Sequence, residues 1–153
     1  MVRMRSLARN AGAAVLLVAA LSGRAAAQRG MLNATLTGRR TSPSSDTVAL
    51  RIAVQMTPGW HIGAAKPGKF GVPTVLTWGL PAGWRVLAER WAAPTRSVVG
   101  RDTVFEYRGP FTIDATLVTQ GGKRSGPVEA VVAYGICRDV CMPGQLTVTY
   151  VVR

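Results

Sequence analysis

In the run Val48-Ala49-Leu50-Arg51-Ile52-Ala53-Val54-Gln55-Met56, every second residue is large and apolar. Successive side chains of a strand point to opposite faces, so this period of two specifies a strand with one face buried and the other wet. No stretch beyond residue 27 carries a sustained helical period, which points to an all-β fold. Further strands are predicted over 32–37, 74–78, 84–91, 103–107, 111–118, 128–136 and 145–152. Pro58-Gly59, Pro67-Gly68, Pro81-Ala82-Gly83, Gly109-Pro110 and Gly121-Gly122 separate them, and such combinations mark turns. Short strands broken by turns at roughly 8–12-residue spacing imply a sandwich or a barrel. The polar residues 39–46 are predicted to form a loop. No internal repeat and no second domain is legible.

The first residues carry a different pattern. Arg3, Arg5 and Arg9 precede an apolar run over 11–21, and Ala25-Ala26-Ala27-Gln28 follows. A basic stretch, a short apolar stretch and small residues in an A-x-A arrangement describe a secretory signal peptide. The apolar run is too short to span a bilayer, which takes about 20 such residues. Residues 1–27 are therefore expected to be a cleaved signal peptide, with 28–153 forming the exported domain.

The chain is basic, with a formal net charge of +12. Its arginines are nevertheless scattered singly, apart from Arg39-Arg40 and Lys123-Arg124, and no basic stripe alternates with aromatics. Nucleic acid is therefore not the expected partner. The chain has a single histidine, His61, and no Gly-x-Ser-x-Gly elbow, so no hydrolase triad can be assembled.

The only two cysteines are Cys137 and Cys141. In an oxidising compartment they pair unless something keeps them reduced. Stabilisation by a disulfide grows with the loop it closes, and a 15-residue loop yields about 3 kcal/mol. The loop here is far shorter, so the pair is a poor staple. A short, exposed disulfide is easier to reduce, as one made and broken in use must be. The predicted strands put both cysteines at an exposed hairpin tip, with Pro143 and Gly144 in the connection rather than in a central strand. Arg138 between them favours a thiolate and Asp139 opposes it.

Several segments stand in a telling order. Pro58-Gly59-Trp60-His61-Ile62 is followed by Lys66-Pro67-Gly68-Lys69-Phe70-Gly71-Val72-Pro73-Thr74 and then Leu80-Pro81-Ala82-Gly83-Trp84. Tyr107-Arg108-Gly109 comes next, and last the Tyr-x-x-Cys-x-x-x-Cys-x-Pro run from Tyr134 to Pro143. In this ordered set the chain resembles the amino-terminal periplasmic domain of the DsbD thiol:disulfide interchange family. The resemblance implies an immunoglobulin-like β-sandwich in the periplasm that relays electrons by thiol–disulfide exchange. It implies that Cys137 and Cys141 cycle between dithiol and disulfide, with Cys141 meeting the partner and Cys137 resolving. The implied partners are thioredoxin-like periplasmic proteins and a membrane electron-transfer protein of DsbD/CcdA type. The membrane protein is expected to be separate, since no transmembrane helices follow Cys141 within the chain. No cofactor is implied, because the cysteines carry the electrons. The family shields its disulfide with a mobile loop bearing an aromatic residue, and by position that loop falls at 90–100, with Trp91 as the cap. Trp60 is a second aromatic candidate beside the pair, and Tyr134, Ile136 and Met142 are candidates for an apolar rim.

Two alternatives stay open at this stage. One is a secreted binding or assembly domain whose disulfide is purely structural. The other is a Cu(I) site built from Cys137, Cys141, Met142 and His61, since soft sulfur ligands suit that ion.

Overall fold

The computed structural model describes residues 30–40, 42, 45–121 and 124–153, so the expected signal peptide lies outside the described residues. Among the described residues every regular element is a strand. In chain order they are β1 (Leu32–Arg40), β2 (Thr47–Met56), β3 (His61–Gly63), β4 (Val75–Gly79), β5 (Trp84–Trp91), β6 (Thr95–Val99), β7 (Asp102–Tyr107), β8 (Phe111–Thr119), β9 (Gly126–Cys137) and β10 (Cys141–Val152). They form two antiparallel sheets, one in the order β1-β2-β8-β5 and the other in the order β10-β9-β3-β7-β6. The long β9 borders β4 along Glu129–Ala133 and β3 at Ile136–Cys137. The architecture is an immunoglobulin-like β-sandwich.

The period-two pattern turns directly into the core. Val48, Leu50, Ile52, Val54 and Met56 share the buried face of β2. Phe111, Ile113, Ala115 and Leu117 do the same on its neighbour β8. Val128, Ala130, Val132, Tyr134 and Ile136 of β9 face them from the other sheet. Each fully buried aliphatic side chain contributes roughly 1.5–3 kcal/mol of transfer free energy. Tyr150 of β10 reaches across to β1, its hydroxyl donating to the Gly38 carbonyl at 2.9 Å. The predicted turns hold too, since Gly59, Gly68 and Gly83 each adopt positive φ, a region open to glycine because it lacks a Cβ.

Three expectations are corrected. Strand β1 runs on to Arg40, two residues into the predicted loop, because Arg39 and Arg40 pair with Ala49 and Val48. Strands β3 and β6 have no counterpart in the sequence reading: β3 is three residues long, and β6 is an edge strand with little burial to impose alternation. Pro143 and Gly144 lie inside β10 rather than in a connection, paired with Gly135 and Tyr134. Because β10 borders only β9, it is an edge strand, where proline's missing N–H does not break a ladder.

Candidate redox site

Cys137 closes β9 and Cys141 opens β10, and the two are direct cross-strand partners. They are joined in a disulfide with their Cα atoms 4.0 Å apart. The intervening turn is closed by the Arg138 N–H, which donates to the Val140 carbonyl at 3.3 Å. Even-numbered residues of β9 and β10 point to the sandwich interior, so the odd-numbered cysteines fall on the outer face of the sheet. They are not equally exposed there. Cys137 is only 7% exposed, whereas Cys141 is open to solvent.

Two neighbours account for the difference. On the far side of β9 from Cys141, His61 of β3 stands directly opposite Cys137. Over the same face folds the segment 64–74. Its ends are tied together, with the Thr74 hydroxyl donating to the Gly63 carbonyl at 2.6 Å and the Thr74 N–H to the Ala64 carbonyl at 3.2 Å. Its middle is tied to β7, where the Phe105 N–H donates to the Pro67 carbonyl at 2.9 Å. Two glycines on the sheet leave room for it. A Cβ on Gly135 would come within 2.7 Å of the Val72 side chain, and one on Gly63 would overlap the Val72 carbonyl oxygen. The loop thus presses its backbone onto the sheet beside the disulfide and carries Phe70 and Val72 to the edge of the cleft.

The cleft measures about 120 Å³ and is lined by Cys137, Cys141, His61, Glu106, Phe70 and Val72, among others. A space of that size admits the tip of one side chain. Phe70, Val99 and Val140 are each more than half exposed around it or beside it, which makes an apolar surface about the accessible sulfur. Its one polar wall is built on Glu106, only 5% exposed. The carboxylate receives the Ser97 hydroxyl, the Arg108 guanidinium at 2.6 Å, and His61 Nε2 at 3.4 Å. Burial pushes its acidity toward the neutral form, but Ser97, Arg108 and His61 together outweigh this and hold the carboxyl below its ordinary range. It is therefore an anion at neutral pH.

Of the residues singled out from sequence, the structure brings Cys137, Cys141 and His61 together and seats the others elsewhere. Tyr134 belongs to the main core, and Trp60, Trp91 and Met142 pack against it. Met142 lies opposite Ile136, one residue out of phase with Cys141 and so on the other face of the sheet. Burial also raises the Tyr134 phenol above its usual range, which keeps it protonated. Trp91 sits in β5 of the opposite sheet, across from Ile113, and its indole donates to Glu89 at 2.6 Å. Trp91 is thus corrected as the cap: within 90–100 it is Val99, at the end of the edge strand β6, that reaches the cleft, and the loop beside the disulfide is 64–74. The Cu(I) ligand set does not assemble either, since Met142 is on the wrong face. Among the described residues no cluster of three or more histidine, cysteine or carboxylate side chains is arranged to hold a metal. Arg138 turns to Asp139 at 3.5 Å rather than to either sulfur. The sequence reading passed over Phe70, Val72 and Glu106. Phe70 had a legible signal, an aromatic between Gly68 and Gly71 in a segment with no strand pattern.

Residues 31–152 match the family described as thiol:disulfide interchange protein DsbD, N-terminal, and the chain belongs to that family. None of the curated proteins matches it. Among solved structures it is similar to the N-terminal periplasmic domain of ScsB from Proteus mirabilis, with a TM-score of 0.50 and 20% identity over 77% of this chain. The chain spans 43% of that ScsB chain. It is also similar to the reduced DsbD N-terminal domain of Neisseria meningitidis, at 13% identity over 71% of this chain and 78% of the other, with a TM-score of 0.46.

Proposed function

We propose that this member of the DsbD amino-terminal family works in the periplasm as an electron relay, passing reducing equivalents from a membrane donor to thioredoxin-like acceptors through Cys137 and Cys141. The observation that carries the reading is the unequal exposure of the two sulfurs. An exposed Cys141 beside a cleft with an apolar rim is the sulfur that a partner's thiolate can approach, and Cys137 behind it is the natural leaving group. Attack forms a mixed disulfide between the partner and Cys141 and leaves Cys137 reduced. The partner's second thiol then resolves that bond and departs oxidised, having left two electrons and two protons on the domain. Delivery to an acceptor runs the same steps backwards. Segment 64–74, with Phe70 at its apex, is proposed as the shield that slows attack by small thiols, and residues 1–27 as the export signal. A purely structural disulfide is disfavoured because a loop closed by residues four apart contributes less than the roughly 3 kcal/mol of a 15-residue loop.

Single-cysteine variants test this. Cys137→Ala leaves Cys141 free and is expected to trap a thioredoxin-like partner as a mixed disulfide. Cys141→Ala is expected to trap far less, since its remaining thiol is buried. The double variant should keep its fold and lose transfer. If the double variant is grossly unfolded and neither single variant captures a partner, the disulfide is a staple and the relay reading is wrong.

A further inference from the structure

The leaving sulfur has a problem that the cysteines alone do not solve. Cys137 is 7% exposed, so a thiolate forming there is poorly hydrated. Burial of this kind raises a thiol's pKa, and a higher-pKa sulfur is a slower leaving group. The backbone makes matters worse, because the Gly135 carbonyl oxygen lies 3.7 Å from the Cys137 sulfur. That oxygen repels an anion and accepts an S–H. The pocket therefore favours a neutral thiol at Cys137 after reduction, and the proton must come from nearby.

The charged groups on the surrounding elements are mostly committed elsewhere. Arg138, which follows β9, pairs with Asp139. Arg108, beyond β7, pairs with Glu106 at 2.6 Å. Lys69 of the covering loop lies over the Phe70 ring at 5.1 Å, and Lys66 is exposed. On β10 the group facing Cys137 is Cys141 itself, β6 brings the uncharged Val99 to the cleft, and the Ser97 hydroxyl is turned to Glu106. His61 remains. His61 and Cys137 are directly opposed on antiparallel strands, where Cβ atoms on the same face lie about 4.5–5.5 Å apart, and both residues line the same cleft. The His61 Nε2 lies 3.4 Å from the buried Glu106 carboxylate, and its side chain keeps 23% exposure, enough to exchange a proton with water.

Resting on the relay reading above, we infer that His61 is the acid–base group of the exchange and that Glu106 positions it. As the partner's thiolate attacks Cys141, the Cys137–Cys141 bond breaks and its electron pair passes to the Cys137 sulfur. The imidazolium of His61 stabilises that charge and gives it a proton, leaving neutral imidazole, which water recharges. The partner sulfur is oxidised to the mixed disulfide and Cys137 is reduced to a thiol. In the delivering direction, neutral His61 takes the proton from Cys137 as its sulfur attacks the mixed disulfide at Cys141. Glu106 holds the ring by its Nε2, 3.4 Å from the carboxylate.

The test compares wild type, His61→Asn and Glu106→Gln as full-length chains, reduced by dithiothreitol and by reduced thioredoxin, from about pH 5.5 to 8.5, the range in which histidine changes charge. The thiolate fraction of the reductant cancels in the ratio of wild-type to variant rates. General acid catalysis commonly contributes 10²-fold or more. With a thiol leaving group, the ratio is expected to reach about tenfold near pH 6 and to fall toward one above pH 8. Glu106→Gln should flatten the same profile, and it carries the test alone if His61→Asn does not fold. A ratio independent of pH means His61 acts by packing alone and overturns the inference while leaving the relay intact. Failure of the wild-type disulfide to exchange with either reductant overturns both.

Discussion

The covering loop can be tested by filling the space beneath it. Gly63 and Gly135 lie under Val72, and their missing side chains let the loop sit on the sheet. Neither glycine has a positive φ, so alanine is conformationally permitted at both and the cost is steric. At Gly135 the new methyl would meet Val72 Cγ1 at 2.7 Å and Val72 Cβ at 2.8 Å, so turning that half-exposed side chain relieves only part of the overlap. At Gly63 it would meet the Val72 backbone carbonyl, which cannot turn away without moving the loop. Overpacking costs about 1–3 kcal/mol, and Gly135→Ala should fall at the low end and Gly63→Ala at the high end. If the loop yields rather than the sheet, that energy goes into undocking it. Each 1.4 kcal/mol raises the open population about tenfold, so Gly63→Ala should speed reduction by dithiothreitol roughly 10- to 100-fold, and Gly135→Ala less. Gly109 is the control, because a methyl there meets nothing within 4 Å and should change neither rate nor stability. The assay pairs stopped-flow reduction with a denaturant midpoint for each variant. A Gly63→Ala protein in which hydrogen exchange shows segment 64–74 opened, yet which is reduced at the wild-type rate, would refute the shield, since the loop would then have moved without exposing the disulfide.

Two further outcomes follow from the core and from the buried carboxylate. Ile113 is completely buried between the sheets, so Ile113→Ala should cost about 2–5 kcal/mol in chemical denaturation while leaving the reduction potential of the cysteine pair unchanged. Glu106 has its folded-state acidity lowered, so its stabilising contribution is present above the ordinary carboxylate range and is lost as pH falls through the folded value; the acid limb of a stability–pH curve, below about pH 4, should be shallower in Glu106→Gln, and an unchanged limb would remove the carboxylate from that role.

The parts of this molecule that sequence revealed are those where one physical constraint repeats. Val48 through Met56 and Phe111 through Leu117 alternate because each lies between a core and water, and a period of two records that over several residues. The cysteine pair was legible because sulfur chemistry is carried by rare residues at short spacing. What stayed hidden depends on single contacts between distant segments. His61 and Cys137 are 76 positions apart, and only the β3–β9 pairing makes them neighbours. Three residues of strand are too few to show a period, so β3 left no trace, and the sequence joined His61 to the cysteines only through a Cu(I) alternative. The aromatic cap is expected at 90–100 only from its position in the resemblance, with Trp91 as the aromatic there. Yet Trp91 lies on a strand whose neighbour is Ile113, and alternation commits it to the sandwich.

The two glycines and Glu106 show why the site resists pattern reading more than the core does. Gly63 and Gly135 are informative for what they leave empty, and the Val72 that fills the space lies in a loop with no periodicity. Glu106 breaks the polar-out rule by being buried, and it is tolerated there because Ser97 of β6, His61 of β3 and Arg108 just after β7 surround it. A buried acid without these partners would be costly enough to be selected out of a strand such as β7. Its place beside an asymmetrically exposed disulfide is accounted for by the inferred chemistry of the departing sulfur, in addition to its contribution to stability. That explanation stands or falls with the pH dependence of the His61 and Glu106 variants.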